Sequence, residues 1–141
     1  MIREYDTGDL AELLDVWYDA SQIAHWFLDS EFFDQERKEI RKKHLPIAES
    51  WVFEEEGRVV GFISLIGNEV GAIFVTPGRQ GQGIGRALMD HARASRDHLD
   101  AEVFEANEIG RVFYDAYGFD IVETRVHEKT GQSVLRLRLD S

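Results

Sequence analysis

The chain has no cysteine, only two prolines and few basic residues for its length of 141. Without cysteine it can form no disulfide framework, thiolate zinc site, iron–sulfur cluster or cysteine nucleophile. No segment approaches the roughly 20 apolar residues of a membrane-spanning helix. The first residues, 1–6, lack the apolar stretch of a secretory signal. We therefore expect a cytoplasmic domain that is not bound to a membrane.

The charge is strongly acidic, with 16 Lys and Arg against 27 Asp and Glu and a net charge of −11. Sequence-independent binding to nucleic acid needs clustered cations that displace phosphate counterions, so we expect no nucleic-acid partner. A negative field would favour cationic small molecules or basic peptides. The simpler alternative is that the excess carboxylate only keeps the protein soluble.

The length suits a single domain over residues 1–141, since a chain of about 150 residues buries roughly 70% of its unfolded surface. The hydrophobic periodicity predicts the order βααβββαβαββ, with about seven strands. This order is typical of a mixed α/β (α+β) domain. The predicted strands are 2–5, 51–56, 58–66, 70–75, 103–104, 121–127 and 133–139. The second helix is predicted from a cap at Ser30 to residue 44, with Pro46 ending it.

Residues 76–86 form a glycine-rich turn between an apolar strand and a helix. Gly81, Gly83 and Gly85 alternate with other residues, which allows close approach of a ligand to the backbone. Free N–H groups at a helix start bind phosphate or pyrophosphate. Arg79 and Arg86 add local positive charge, so the turn predicts a site for an anionic ligand.

Two common nucleotide loops do not fit this turn. A dinucleotide-binding G-x-G-x-x-G loop would need its third glycine at Arg86. A phosphate-binding G-x-x-x-x-G-K-[ST] loop fits Gly78 and Gly83, but Ile84 and Gly85 replace its lysine and hydroxyl residue. The phosphate ligand must belong to another class.

The segment 80–85, Gln-Gly-Gln-Gly-Ile-Gly, resembles the Q/R-x-x-G-x-G/A loop of the GCN5-related N-acetyltransferase (GNAT) superfamily. The strand 72–75 before it resembles the fourth strand of that family. Residues 107–119 resemble the family's N-x-x-A-x-x-F-Y-x-x-x-G-F segment, with Gly110 in place of the alanine. The resemblance covers nearly the whole chain and extends to small bacterial members described as peptidyl-lysine acetyltransferases.

The resemblance implies the GNAT fold, in which helices flank a central mixed, mostly antiparallel sheet, and acetyl-coenzyme A as co-substrate. Strand residues Ile73, Phe74 and Val75 would bind its pantetheine arm, and Asn107 would contact the same arm. Backbone amides of the loop would hold the pyrophosphate; these residues are Gln80, Gly81, Gln82, Gly83, Ile84, Gly85 and Arg86. The five histidines show no metal-binding spacing, so we expect no metal.

Tyr114 matches the tyrosine that the resembling enzymes use as general acid. A phenol with a pKa near 10 is protonated at neutral pH and can donate to the departing thiolate. Tyr114 is therefore also a predicted cofactor-binding residue, and we expect the coenzyme arm to end near the tyrosine hydroxyl. Glu69 and His25 are the candidate general bases, followed by Glu105. Tyr117 is the reserve acid.

The predicted function is transfer of an acetyl group from acetyl-CoA to a primary amine, by direct attack when both substrates are bound. The acceptor is a small-molecule amine or the lysine of a peptide or protein, and the sequence leaves this choice open. It also leaves open whether the protein is a monomer or a homodimer. The alternative function is a catalytically inactive, coenzyme A-binding regulatory or sensor domain.

Overall fold

Seven strands and five helices account for most of the chain in the computed structural model, which describes residues 1–140. The strands are β1 (Ile2–Glu4), β2 (Glu49–Glu55), β3 (Arg58–Ile66), β4 (Glu69–Val75), β5 (His98–Phe104), β6 (Asp120–Val126) and β7 (Ser133–Asp140). The helices are α1 (Leu10–Ala24), α2 (Ser30–Glu39), α3 (Leu45–Ile47), α4 (Ile84–Arg93) and α5 (Glu108–Tyr117).

The strands form one sheet in the order β1-β2-β3-β4-β5-β7-β6. Only β4 and β5 pair in parallel, and the other five pairs are antiparallel. The predicted mixed, mostly antiparallel sheet and its order along the chain are confirmed.

Helices cover both faces of this sheet and divide the core into two clusters. On one face, α4 packs on β2, β3 and β4 and α5 packs on β5, and Leu88, Met89 and Leu99 are fully buried there. On the other face, α1 and α2 pack on β2 and β3 around Leu13 and Phe62. Helices α1 and α2 do not cover β5, β7 and β6, and charged side chains lie on this face of those three strands.

Two sequence predictions about element ends were wrong. Asp29 caps α2 instead of Ser30, and its carboxylate accepts a 2.9 Å hydrogen bond from the Phe32 N–H. Pro46 does not end the helical region, because a π-helical turn over Ile40–His44 precedes α3. Pro46 lies in the first turn of α3, where backbone N–H groups have no intrahelical acceptor. The missing N–H of proline therefore costs no hydrogen bond there.

Strand β5 has seven residues, whereas the sequence predicted only 103–104. Leu99, Ala101 and Val103 point into the core, and the polar residues between them face the open side of the sheet. These charges are tolerated in a strand because arginines of β6 and β7 pair with them.

Strands β4 and β5 share a short register and then part. Their parallel pairing is limited to Glu69 with Asp100 and Val70 with Ala101. The β3–β4 register skips at this point, pairing Leu65 with Val70 and Ser64 with Ala72, so Gly71 has no partner opposite it. A β-bulge of this kind bends a strand. The bulge thus coincides with the place where β4 leaves β5.

The core predicts that the same substitution, Ile to Ala, lowers the free energy of unfolding very differently in a buried and in an exposed strand position. Ile63→Ala removes a side chain that is 0% exposed and should lower the free energy of unfolding by about 2–5 kcal/mol. Ile121→Ala, at a position 61% exposed on the edge strand, should change it by less than about 0.5 kcal/mol. Urea denaturation measures both values, and equal losses would contradict this assignment of the core.

Candidate active site

A cavity of about 590 Å³ opens between the parting ends of β4 and β5. Its walls come from the end of α1, strands β4 and β5, the glycine-rich loop and α5. Most of the predicted cofactor-binding residues line it: Ile73, Phe74, Val75, Gln80, Gly81, Gly83, Ile84, Gly85, Arg86, Asn107 and Tyr114. Gln82 lies in the same loop but does not line the cavity; its side chain accepts from Arg79 at 3.5 Å.

The glycine-rich loop presents unpaired backbone donors to the cavity. Gly81 and Gly83 have φ values of +79° and +85°, a conformation that disfavours other residues. From Gly81 to Arg86, no backbone N–H donates to a backbone carbonyl among residues 1–140. The Gln80 side chain donates to the Val75 carbonyl at 3.0 Å and so ties the loop to the end of β4. Such a row of free amides at the start of α4 is suited to a pyrophosphate.

Close packing fixes the first turn of α4 against α5. A Cβ atom on Gly85 would come within 3.1 Å of the Phe113 ring, so a larger residue would push the helices apart. The Arg86 guanidinium lies 5.5 Å from the centre of the Tyr117 ring. Arg79 forms an ion pair with Glu55, which compensates its charge. Of the two arginines predicted to attract an anion, Arg86 is the one without an ion-pair partner among residues 1–140.

Tyr114 lies in α5 with its side chain in the cavity wall and only 8% of the residue exposed. Burial, followed by the charge of Glu69, raises the pKa of its phenol above the ordinary value of 10. The hydroxyl has no hydrogen-bond partner among residues 1–140, yet it is not sealed from solvent. Tyr114 therefore carries a proton at neutral pH and is free to donate it to a ligand. Tyr117 also lines the cavity, but its hydroxyl already donates to Asp90 at 2.5 Å.

His25 at the end of α1 and Asn107 at the start of α5 both line the cavity and contact each other. The side-chain oxygen Oδ1 of Asn107 accepts a hydrogen bond from the Gly110 N–H at 2.9 Å. The side-chain nitrogen Nδ2 of Asn107 then faces His25 Nε2 at 3.3 Å. In this pair Nε2 accepts, so the imidazole carries its proton on Nδ1. The His25 ring contacts Phe74 of β4 and Phe104 of β5, and burial lowers its pKa to about 4.

Gly110 makes this arrangement possible. A Cβ atom at position 110 would come within 2.5 Å of the Asn107 amide nitrogen and 3.0 Å of Val103. Glycine at this position therefore leaves room for the Asn107 amide beside the helix start.

Glu69, the other predicted base, is held at the beginning of β4. Its two carboxylate oxygens accept from the two terminal nitrogens of Arg136 at 2.7 and 2.8 Å. Glu69 does not line the cavity. Glu105 lies just beyond β5 and does not line it either.

Several lining residues were not among the sequence predictions. They are chiefly Ala20 and Ala24 of α1, and Glu102 and Phe104 of β5. The alternation of polar and apolar residues over 98–104 was the available signal, because it places Glu102 and Phe104 on one face of a strand.

No cluster of His, Asp and Glu suited to a metal ion occurs within residues 1–140. In the same part of the chain, no helix combines the length and apolarity needed to cross a bilayer.

Comparison with known proteins agrees with this fold. A family model described as an acetyltransferase (GNAT) domain matches residues 46–121. The chain belongs to the GNAT acetyltransferase family. It is an N-acetyltransferase.

Similar proteins include two from Escherichia coli that are named peptidyl-lysine N-acetyltransferases. YiaC is 34% identical over 131 residues, which cover 92% of this chain and 90% of YiaC. The solution structure of apo YjaB has a TM-score of 0.85 at 30% identity and covers 98% of this chain and 95% of that one. The PaiA N-acetyltransferase of Thermoplasma acidophilum, crystallised with coenzyme A, has a TM-score of 0.84 at 17% identity. That likeness covers 100% of this chain and 98% of PaiA, and it shows the fold.

The loop geometry predicts that Gly83→Val weakens coenzyme A binding roughly tenfold or more, because restoring a positive φ costs a non-glycine residue about 1–3 kcal/mol. Isothermal titration calorimetry with coenzyme A measures this. Gly131→Val is the matched control, since Gly131 also has a positive φ (+72°) but lies in the β6–β7 turn. Equal affinity losses in both variants, or none in Gly83→Val, would contradict the assignment of the loop.

The buried imidazole predicts a pH dependence of stability. Above about pH 6.5, His25 is neutral in the folded and the unfolded chain and adds no pH dependence. As the pH falls from 6.5 towards the lowered pKa of about 4, only the unfolded chain gains the proton, so stability falls. Between pH 7 and pH 4.5 the free energy of unfolding of the wild type should fall by about 2 kcal/mol more than that of His25→Gln. Urea denaturation at each pH measures both values, and equal falls in the two proteins would show that the pKa of His25 is not lowered.

Proposed function

We propose that this enzyme acetylates primary amines, with the lysine side chain of a peptide or protein as its acceptor. The observation that carries the proposal is the cavity between β4 and β5, which has free amides at one end and Tyr114 in its wall. Such a cavity has room for an extended thioester and an amine side by side. The names of YiaC and YjaB favour lysine among the possible amines.

In the proposed reaction the amine attacks the thioester carbonyl directly while both substrates are bound. A covalent acyl-cysteine intermediate is excluded because the chain has no cysteine. Backbone N–H groups of β4 polarise the carbonyl as the C–N bond forms. The Tyr114 hydroxyl gives its proton to the sulfur as the C–S bond breaks.

The remaining residues hold the substrates in place. Backbone amides from Gln80 to Arg86 bind the pyrophosphate, and Ile73, Phe74 and Val75 bind the pantetheine arm through their main chain. Asn107 contacts the same arm with the amide that His25 orients. With its Nε2 lone pair engaged and its pKa near 4, His25 is a weak proton acceptor at neutral pH. We therefore assign His25 a positioning role.

The function is tested by measuring coenzyme A release from acetyl-CoA with three acceptors: a lysine-containing peptide, the same peptide with its lysine blocked, and a small diamine. The proposal predicts turnover that needs the free lysine, and mass spectrometry should place the acetyl group on its ε-nitrogen. Turnover with the diamine but not with the peptide would show that the acceptor is a small-molecule amine and not a lysine side chain. Tight coenzyme binding without turnover on any amine would overturn the proposal.

The role of Tyr114 predicts that Tyr114→Phe lowers kcat by about 100-fold or more and leaves coenzyme A affinity nearly unchanged. Tyr117→Phe is the matched control on the same helix, because its hydroxyl is engaged by Asp90, and it should retain most of its kcat. Steady-state kinetics at saturating acetyl-CoA measure both. An unchanged kcat in Tyr114→Phe would remove Tyr114 from the proton transfer.

A further inference from the structure

Strand β6 forms one edge of the sheet, and its outer side has no neighbouring strand among residues 1–140. Every residue of β6 is exposed. A free edge offers unpaired backbone N–H and C=O groups, and proteins usually shorten such an edge or block it with lysine or proline. The opposite edge strand, β1, has only three residues, whereas β6 has seven and contains neither lysine nor proline. The β6 edge is therefore open to a further strand.

Exposed aliphatic side chains adjoin this edge. Ile121, Val122 and Val126 of β6 are each at least 60% exposed. Val112 of α5 is 68% exposed, and together with Ile121 it lines a second cavity of about 260 Å³ between α5, β6 and β7. Contiguous exposed apolar surface is typical of protein–protein interfaces. The free edge and the apolar surface thus form one continuous area.

The backbone of β6 shows which residues offer their hydrogen-bonding groups to a new strand. The His127 N–H donates to the Gln132 carbonyl at 2.8 Å, on the side of β7. In an antiparallel ladder, successive residues direct their N–H and C=O groups to opposite edges. The groups of Thr124 and Val126 therefore point away from β7. The bulge in β6 precedes this segment, so residues 123–126 present a regular edge.

Two opposite charges flank Thr124. Glu123 and Arg125 are two residues apart in the strand and lie on the same face of the sheet. The Arg125 side chain is 54% exposed. Glu123 has no ion-pair partner within residues 1–140, and the arginine opposite it on β7, Arg136, is held by both oxygens of Glu69. The charge of Glu123 is therefore available to a neighbouring molecule.

We propose that β6 pairs antiparallel with β6 of a second copy of this chain, with Thr124 opposite Thr124 of that copy. A two-fold axis perpendicular to the sheet places one residue opposite itself. Thr124 is suited to this position, because its outward groups can exchange two N–H···O bonds with their symmetry mates. The same register places Glu123 opposite Arg125 of the second copy. It also places Val122 opposite Val126 of the second copy, and symmetry repeats both pairs.

Charge favours this register over its neighbours. An axis at Glu123 would oppose two glutamates, and an axis at Arg125 would oppose two arginines; like charges directly opposite each other are destabilising. With the axis at Thr124, the charged residues form non-hydrogen-bonded pairs, in which opposite side chains approach most closely. Arg125 also pairs with Glu102 of its own chain at 2.9 Å, so it would connect the ion pairs of the two copies.

The two-fold axis also determines what else the copies bury. It keeps α5 of both copies on the same face of the joined sheet, where Val112 and Ile121 add apolar area beside the paired strands. The cavity between β4 and β5 is separated from the β6 edge by β5 and β7. Each copy therefore keeps its own open cavity, and the inference does not depend on the proposed acceptor.

The test is sedimentation equilibrium of the wild type, Glu123→Arg and Arg125→Glu. We expect a wild-type dimer. Each substitution turns both opposite-charge pairs of the dimer into like-charge pairs, so the dissociation constant of each variant should rise on the order of tenfold or more. In an equimolar mixture, the heterodimer of the two variants regains two opposite-charge pairs. The mixture should therefore dimerise with nearly the wild-type affinity, which a structural defect in either variant would not produce.

Two controls accompany this experiment. Glu31→Arg makes the same change of charge at an exposed position on α2, away from the edge, and should leave the dissociation constant of the dimer unchanged. Glu123 does not line the cavity between β4 and β5, so Glu123→Arg should keep its coenzyme A affinity within about twofold of the wild-type value.

Three results would overturn the proposal. One is a wild type that stays monomeric up to millimolar concentration; if its β6 amides gain protection from hydrogen exchange only when a lysine peptide is added, the edge binds the peptide instead. Another is a dimer whose dissociation constant neither substitution changes, because its contacts then lie elsewhere. The last is a pair of weakened variants whose affinity does not recover on mixing, which would refute the register centred on Thr124.

Discussion

Strands β4 and β5 are paired at only two positions, and beyond Val70 and Ala101 they lie apart. One edge of β4 is therefore left without a neighbouring strand, and the space beside it becomes the cavity. The bulge at Gly71 bends β4 at this point. The end of α1 then reaches the gap, where His25 contacts an aromatic ring on each of the two strands. The loop, Tyr114 and Glu102 all take their places around this divergence.

The distribution of charge resolves a difficulty raised by the composition. In the proposed function, a chain with a net charge of −11 binds a polyanionic co-substrate, so the average field works against that binding. We therefore propose that recognition comes from local groups: the free amides of the glycine-rich loop and Arg86. Arg79 contributes little net charge, because Glu55 compensates it.

Local signals explain how much could be predicted from the sequence. The glycine-rich loop and the segment with Asn107 and Tyr114 are contiguous motifs, so the family resemblance alone was enough to predict roles for them. Strand order followed from hydrophobic periodicity. Long-range partners could not be predicted in this way: Arg136 is 67 residues from Glu69, and Asn107 is 82 residues from His25. Glu102 was not predicted as a cavity residue, because its place in the wall depends on the full length of β5, of which the sequence predicted only residues 103–104.

The central claim is that the gap between β4 and β5 holds the coenzyme and an amine together. The most direct measurement is calorimetric binding of a bisubstrate analogue, a lysine peptide whose ε-nitrogen is joined through an acetyl bridge to the sulfur of coenzyme A. Occupation of both halves of the cavity predicts that the analogue binds at least about tenfold more tightly than coenzyme A alone. An affinity equal to that of coenzyme A would show that the peptide half has no site there and would contradict the account.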